Sequence, residues 1–189
     1  MNGIRTHDRH LTLGLALALL MAATRFHHFG SATHLPDASL AVFLLGGFYL
    51  SRAGWFAGYL TGAALIDYLA IAYGGVSGWC VTPAYAFLVP TYACTWYAGV
   101  WYARRSCAGW QTLGTLLGAL FAGVSAAFLV SNGSFYLLSG YFSETSWTEY
   151  AARVAKYYPP YLSGTLLYVA LAALVHALVA ARARSSQRV

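Results

Sequence analysis

"GWFAGYLTGAALIDYLAIAY", residues 54–73, is twenty residues long and contains a single charged side chain, Asp67. An α-helix of this length rises about 30 Å, which is the thickness of the hydrocarbon core of a bilayer. The rest of the chain has the same character, since 59% of its 189 residues are hydrophobic and only 8% are charged. So few charges cannot cover a water-soluble globule of this size. The composition therefore predicts an integral membrane protein.

Five other apolar segments approach the length needed to cross a bilayer. Together the six predict an all-α integral membrane protein, a bundle of six transmembrane helices in a single domain over residues 1–189. We expect the spans at about 11–26, 36–51, 54–73, 83–103, 110–131 and 159–181. Pro36 and Pro83 suit first helical turns, with Thr82 as the N-cap of the fourth span. Pro90, inside that span, predicts a kink.

The positive residues beside the spans predict the orientation. With the N-terminus in the cytoplasm, eight Lys and Arg residues lie inside and three, Arg25, Arg153 and Lys156, lie outside. Both termini are then cytoplasmic, and the connections 25–35, 74–82 and 132–158 face outward. The net charge of +6 follows from this bias and gives no support to a nucleic-acid partner. The alternative is that the first span is a cleavable signal peptide.

The third outward connection, residues 132–158, is rich in tyrosine. Within it Ser146 and Glu149 have the spacing of a capping box. The following residues place aromatic and charged side chains on opposite sides at helical spacing. We therefore expect a short interfacial helix before the sixth span, which could be an aromatic anchor in the headgroup region or a lid over a binding cavity.

Three cysteines, Cys80, Cys94 and Cys107, stand at different depths, too far apart for a disulfide. Cys80 lies in "GGVSGWCVTPAYAF", residues 74–87, just before Pro83. The nearby helix N-terminus is expected to favour its thiolate, a soft ligand for transition metals. The alternative is a small cysteine that merely packs.

Asp67 is an acidic residue within the outer part of the third span, where a charge is costly and usually faces a cavity or a partner. The helical period rotates it away from the small residues Gly58 and Gly62. We therefore expect it to face the bundle interior or a cavity. A functional acid and a satisfied structural acid are both consistent with this position.

Motifs for an energy source or a resident cofactor are lacking: the sequence has no Walker A motif, Cys-x-x-Cys-His motif or zinc spacing. Any ATPase must then be another subunit. Gly14, Ala18 and Ala22 recur every four residues on the first span, which suits either docking of such a partner or packing within the bundle. A membrane redox protein that binds haem or quinone near the outward histidines, and a purely structural subunit, are the alternative classes.

These features resemble the substrate-binding S-components of energy-coupling-factor (ECF) vitamin transporters. "RFHHFG" at 25–30, "LIDYLA" at 65–70 and the stretch around Cys80 are similar to the BtuM family of bacterial cobalamin S-components. The resemblance implies a protein of the bacterial cytoplasmic (inner) membrane whose Cys80 ligates the cobalt of a corrinoid. It further implies ligand-binding residues at the outer loops, which are His27, His28, Asp67, Trp79 and Tyr85.

The same resemblance implies a partner and a mechanism. The first span, through Gly14, Ala18 and Ala22, is expected to dock on a membrane coupling subunit attached to two ATPases. Tyr and Trp side chains would hold the corrinoid, and Cys80 would displace an axial group such as water, cyanide or an alkyl group. Displacement of a strongly bound group would make the protein a chemical modifier as well as a transporter.

Overall fold

The computed structural model describes residues 2–25, 35–105 and 110–186, in which all regular structure is helical. The α-helices of this part are α1 (Asn2–Arg25), α2 (Ser39–Tyr49), α3 (Ala53–Tyr73), α4 (Leu88–Ala103), α5 (Trp110–Leu138) and α6 (Trp147–Ser186). Two short 3-10 turns, Gly78–Cys80 and Pro83–Phe87, connect α3 to α4. The expected all-α class with six helices is confirmed for the described residues.

Three of the helices, α3, α5 and α6, are long and apolar enough to cross a membrane. By contrast, α2 has 11 residues and α4 has 16, which correspond to lengths of about 16 and 24 Å. Neither reaches the roughly 30 Å of the hydrocarbon core. The membrane character of the fold is therefore supported by three helices, and the number of spans stays a prediction.

The core of the bundle is built around α2, in which nine of the 11 residues are buried. It packs against α1, α3, α4 and α6. Phe43 stacks on Tyr92 of α4, with ring centroids 4.2 Å apart and planes at 3°, and meets the edges of Phe56 and Tyr59 of α3. A helix that is apolar on every side is therefore buried among other helices.

Glycines bring α2 and α4 unusually close together. A Cβ atom added at Gly47 of α2 would overlap the carbonyl oxygen of Trp96, and one added at Gly99 of α4 would overlap that of Leu44. The obstacles are backbone atoms, which cannot move aside as a side chain can. Only residues without a Cβ allow this contact, a use of glycine that is also common where membrane helices pack closely.

The start of the fourth helix differs from the prediction. Pro83–Phe87 forms a 3-10 turn, and the α-helix begins at Leu88. Pro90 then falls in the first turn of α4, where its missing N–H loses no partner, whereas in a helix from Pro83 its ring would collide with the Ala86 carbonyl. The conflict caused by Pro90 is thus resolved by a change from 3-10 to α geometry at Leu88. Thr82 also makes no side-chain cap hydrogen bond.

The second helix likewise begins later than predicted, at Ser39. Pro36 precedes the helix, and its carbonyl oxygen accepts a hydrogen bond of 2.6 Å from the hydroxyl of Tyr168. Asp37 supplies the turn into α2, because its Oδ1 accepts hydrogen bonds from the Ser39 N–H at 2.9 Å and the Ser39 hydroxyl at 2.6 Å. The side chain of Asp37, two residues before the helix, thus forms the helix start that was predicted at Pro36.

The prediction of a separate interfacial helix before the sixth span is wrong. α6 runs without interruption through Pro159 and Pro160 for 40 residues, or about 60 Å, twice the hydrocarbon thickness. The predicted capping position is correct, since Ser146 Oγ accepts the Glu149 N–H at 3.2 Å. The Tyr136 hydroxyl accepts the Ser146 N–H at 2.8 Å and lies 3.0 Å from Glu149 Oε2. Contacts with α5 therefore hold the first turn of α6 in place, although Pro159 and Pro160 disfavour a continuous helix.

Candidate functional site

Arg25 and Asp67 lie together at the end of the bundle where α1 and α3 finish and α4 begins, called here the Arg25 end. Arg25 Nε donates to Asp67 Oδ1 at 2.8 Å, and Nη2 donates to Oδ2 at 2.6 Å. The two residues are only 5% and 6% exposed. Buried charges persist only when they are paired and hydrogen-bonded, and this geometry provides both.

Arg25 also reaches the other central helices through its Nη1 atom. Nη1 donates to the hydroxyl of Tyr92 on α4 at 2.6 Å and to the hydroxyl of Ser39 on α2 at 3.0 Å. It lies 3.4 Å from Asp37 Oδ2. One guanidinium therefore joins α1, α2, α3 and α4.

Asp67 holds a further element, since the hydroxyl of Tyr85 donates to its Oδ2 at 2.8 Å. Tyr85 lies in the 3-10 turn that precedes α4. We call Arg25, Asp37, Asp67, Tyr85 and Tyr92 the arginine cluster. The expectation that Asp67 faces the bundle interior is confirmed. Its partner was not foreseen, because counting positive residues assigns Arg25 to the outer surface.

Cys80 lies in the segment between Asp67 and Tyr85, at the end of a tightly folded turn. Gly75 takes a left-handed conformation (φ 68°) that ends α3 and favours glycine. Ser77 Oγ accepts the Trp79 N–H at 3.3 Å. The carbonyl oxygen of Cys80 accepts the Thr82 N–H at 3.0 Å across Val81 (φ −83°, ψ 81°), which is an inverse γ-turn. The chain therefore reverses direction directly after the cysteine.

The electrostatic surroundings of Cys80 oppose the expected thiolate. Cys80 is half-buried and forms no disulfide. Burial raises the pKa of its thiol, the Asp67 carboxylate raises it further, and Arg25 counteracts only part of the effect. The α-helix N-terminus invoked in the prediction begins eight residues later, at Leu88. The predicted lowering of the pKa is therefore wrong, because the nearest charges are those of the arginine cluster and not a helix dipole.

A buried hydroxyl stands beside the cysteine. Thr82 Oγ1 is inaccessible to solvent and has no hydrogen-bond partner within the described parts of the chain. An unpaired buried hydroxyl costs about 1–3 kcal/mol, and each such group calls for an explanation. Because solvent does not reach this oxygen, it belongs to the interior of the turn and not to a surface that a ligand can contact.

Aromatic residues extend from the Cys80 turn to the connection between α5 and α6. Trp79 stacks on Tyr141 with ring centroids 3.8 Å apart and planes at 10°. Tyr141 and Phe142 both contact Phe135 of α5, and Phe142 also contacts Tyr136. We call these residues, Trp79, Phe135, Tyr136, Tyr141 and Phe142, the aromatic row. It brings two connections predicted to share the outward face, 74–82 and 132–158, into direct contact.

The aromatic row borders two further features. A cavity of about 390 Å³ opens between α5 and α6, lined in part by Tyr136, Ser146 and Trp147. The guanidinium of Arg153 lies 4.6 Å from the ring centroid of Phe142 and 5.3 Å from that of Tyr157. Cation–π contacts of this kind stabilise a charge where water is scarce. Arg153 was predicted on the polar side of an interfacial helix and lies instead among aromatic rings.

The remaining predicted site residues fall in different places. His27 and His28 lie outside the described residues. Gly14 packs against α3, because a Cβ there would overlap the ring of Trp55, and its carbonyl oxygen accepts a hydrogen bond of 3.1 Å from Tyr59. Ala18 is half-buried against the core and Ala22 is exposed. The small residues of α1 therefore do not form one open stripe.

No protein-family model matches this chain, and the comparison with curated proteins finds no match.

Proposed function

We propose that this protein binds a corrinoid, cobalamin or a related molecule, at the Arg25 end and carries it across the membrane, with the Cys80 sulfur as the axial ligand of cobalt. The setting of Cys80 is the observation that carries the proposal. The Tyr85–Asp67 hydrogen bond of 2.8 Å ties together the two ends of the segment that contains this half-buried, unpaired thiol. The resemblance of the surrounding sequence to the BtuM family supports the same assignment.

A single thiol is a suitable donor for this cargo. A bare transition metal would need several protein ligands. A corrinoid brings its cobalt already bound by the nitrogens of its ring and leaves only axial positions to fill. One thiolate fills one of these axial positions.

Aromatic side chains beside Cys80 match one kind of surface on a corrinoid. The flat face and apolar edges of the macrocycle suit the rings of Trp79 and Tyr141, which is an arrangement common in ligand sites. Both oxygens of Asp67 are engaged by Arg25 and Tyr85. In this proposal Asp67 therefore positions the turn, and ligand contact falls to its neighbours.

The chemical step is an exchange of axial ligands. The Cys80 thiol gives its proton to water, the thiolate donates an electron pair to cobalt, and the bond to the previous ligand breaks. Cyanide or water departs with its own bonding pair, so the oxidation state of cobalt does not change. With cyanide as the departing group, the protein removes a strongly bound ligand in addition to binding its cargo.

Transport requires partners or a movement of the loaded bundle. The proposed partners are an ECF coupling subunit and two ATPases, since this chain carries no ATP-binding motif. Docking on α1 would use its exposed side, which presents Leu15, Leu19 and Ala22. Gly14 contributes to packing on α3 instead.

Growth of a cobalamin-dependent bacterial strain that lacks its own importer tests the proposal. We expect the wild-type protein and Cys94→Ala, a matched control on α4, to restore growth on low cobalamin, and Cys80→Ala to fail at equal membrane abundance. Equal growth with Cys80→Ala would overturn the role of sulfur. Failure of the wild-type protein, with a haem Soret band instead of a corrin spectrum in the purified protein, would favour the redox alternative.

A further inference from the structure

We propose that the cleft between α4 and α5 binds a phospholipid with an anionic headgroup, one acyl chain lying in the cleft and the phosphate contacting Arg104 and Arg105. The cleft opens near the end of α4 remote from the Arg25 end. It shares no residue with the arginine cluster or the aromatic row. The inference is therefore independent of the proposed corrinoid function.

The shape and chemistry of the cleft suit a hydrocarbon chain. Its volume is about 340 Å³, and it is lined by Cys94, Ala98 and Trp101 of α4 and by Gly118, Ala122 and Ala126 of α5. Small side chains on both helices create the space. At Gly118 an added Cβ would meet no atom within 4 Å. The walls are almost entirely apolar and offer mainly van der Waals contact, which suits a hydrocarbon chain better than a polar ligand.

The depth of the cleft matches one leaflet. Cys94 and Arg104 are ten residues apart on α4, which corresponds to about 15 Å along a helix. The hydrocarbon core is about 30 Å thick, so each leaflet contributes about half of that. An acyl chain that starts at the arginines would therefore end at the depth of Cys94.

The mouth of the cleft is positively charged. Arg105 Cζ lies 4.6 Å from the ring centroid of Trp101, which itself lines the cleft. Arg104 is exposed. Neither arginine forms an ion pair with another described residue. The two ion pairs found among the described residues are both made by Arg25. Basic residues beside membrane helices attract anionic headgroups, and a tryptophan at this position is typical of the interface.

A lipid chain fits the cleft better than a partner helix does. A helix is about 10 Å across, and 15 Å of its length would occupy on the order of 1,200 Å³, several times the space between α4 and α5. Arg104 and Arg105, which form no ion pair with another described residue, also favour a phosphate over an apolar helix. Charge complementarity and size thus select the anionic phospholipid as the occupant.

Lipid retention measured by native mass spectrometry tests the site. The protein is taken from vesicles of equal parts phosphatidylglycerol and phosphatidylcholine, and the copies retained after detergent exchange are counted. We expect the ratio of phosphatidylglycerol to phosphatidylcholine retained by the wild-type protein to be higher by roughly fivefold for each arginine. R104Q/R105Q should bring the ratio close to one. Ala122→Leu should fill the cleft and reduce retention of both lipids severalfold. Gly118→Leu should have the same effect without a steric clash, because an added Cβ at Gly118 meets no atom within 4 Å.

Ala173→Leu, at an exposed position of α6, serves as the control and should retain lipid as the wild-type protein does. The proposal is overturned by a wild-type ratio within twofold of one, or by a ratio in R104Q/R105Q within twofold of the wild-type value. It is also overturned if both leucine variants, folded by circular dichroism, retain lipid like the control. A dimer that replaces the retained lipid would assign the cleft to a second copy of the chain.

Discussion

Arg25 of α1 and Asp67 of α3 form a two-point ion pair inside the bundle, with Nε to Oδ1 at 2.8 Å and Nη2 to Oδ2 at 2.6 Å. The residues are 42 positions apart in the sequence. Because both are almost fully buried, neither charge would be solvated by water if its partner were removed. The pair therefore locks α1 to α3 at the end of the bundle where Cys80 lies.

Removing one member of this pair should strongly destabilise the protein. Arg25→Met leaves the Asp67 carboxylate buried without its cation, which costs about 3–5 kcal/mol in comparable cases. Arg25→Met/Asp67→Leu should recover part of the loss, since the buried charge is also removed. Thermal unfolding in detergent measures both, with Arg52→Met at an exposed position as a control expected to change stability by less than about 0.5 kcal/mol. Equal losses for Arg25→Met and Arg52→Met would contradict the structure.

The close approach of α2 and α4 predicts a contrast between two glycines. Gly99→Ala places a methyl group against the Leu44 carbonyl oxygen, and forcing the helices apart should cost about 1–3 kcal/mol or more. Gly114→Ala on α5 meets no atom within 4 Å and should be neutral or stabilising by up to about 1 kcal/mol through helix propensity. Melting temperatures of the two variants test the contrast. If Gly99→Ala is as stable as Gly114→Ala, the α2–α4 contact is placed wrongly.

The stack of Trp79 on Tyr141 should support corrinoid binding. Tyr141→Ala removes an aromatic pair worth about 0.5–1.5 kcal/mol and frees the turn that contains Cys80. We expect a Kd for hydroxocobalamin weaker by roughly two- to tenfold, with the sulfur-ligated spectrum still formed at saturation. Trp147→Ala, which removes a ring 88% exposed on α6, should bind within twofold of wild type. Unchanged binding by Tyr141→Ala would show that the stack does not contribute to the site.

Ligation of cobalt by Cys80 should strengthen as the pH rises. Burial and Asp67 raise the pKa of the thiol, so near neutral pH it is mostly protonated and must lose its proton to bind the metal. Below that pKa each unit of falling pH lowers the thiolate fraction, and with it the apparent ligation constant, by about tenfold. Above it the constant should level off. Titrations with hydroxocobalamin at several pH values check this.

Asp67→Asn, measured where circular dichroism shows that the variant is folded, extends the same measurement. The substitution removes the negative charge that raises the pKa of Cys80 and leaves Arg25, which lowers it. The ligation profile should therefore move toward lower pH. A profile that is flat, or that moves toward higher pH in this variant, would show that the thiol does not titrate in the described surroundings.

Much of the site could be predicted from single residues that are unusual in their setting. Asp67 stands out as the acid of an apolar helix, and Cys80 as a thiol in a glycine-rich turn. Their placement in one region, with Tyr85, agrees with the structure. Arg25 was missed because counting basic residues for orientation treats each one as solvated. A buried acid needs a cation at matching depth, and Arg25 at the end of the first span satisfies that condition.

Helix boundaries were less predictable because local signals and tertiary contacts compete. Pro90 disfavours one continuous α-helix that starts at Pro83, and nothing in the local sequence indicates that a 3-10 turn will resolve the conflict. Pro159 and Pro160 suggest a break that α6 does not have. The hydroxyl contact of 2.7 Å between Ser125 and Tyr158 joins α5 to α6 just before those prolines. Contacts of this kind between distant segments cannot be seen in the local pattern.

The visible spectrum of hydroxocobalamin bound to purified protein tests the central claim most directly. Sulfur ligation changes the cobalt ligand field, so we predict that wild-type protein and Cys94→Ala give one shifted spectrum. Cys80→Ala should bind more weakly and leave the spectrum of the free corrinoid unchanged. The same shifted spectrum from wild-type and Cys80→Ala protein would contradict ligation of cobalt by Cys80.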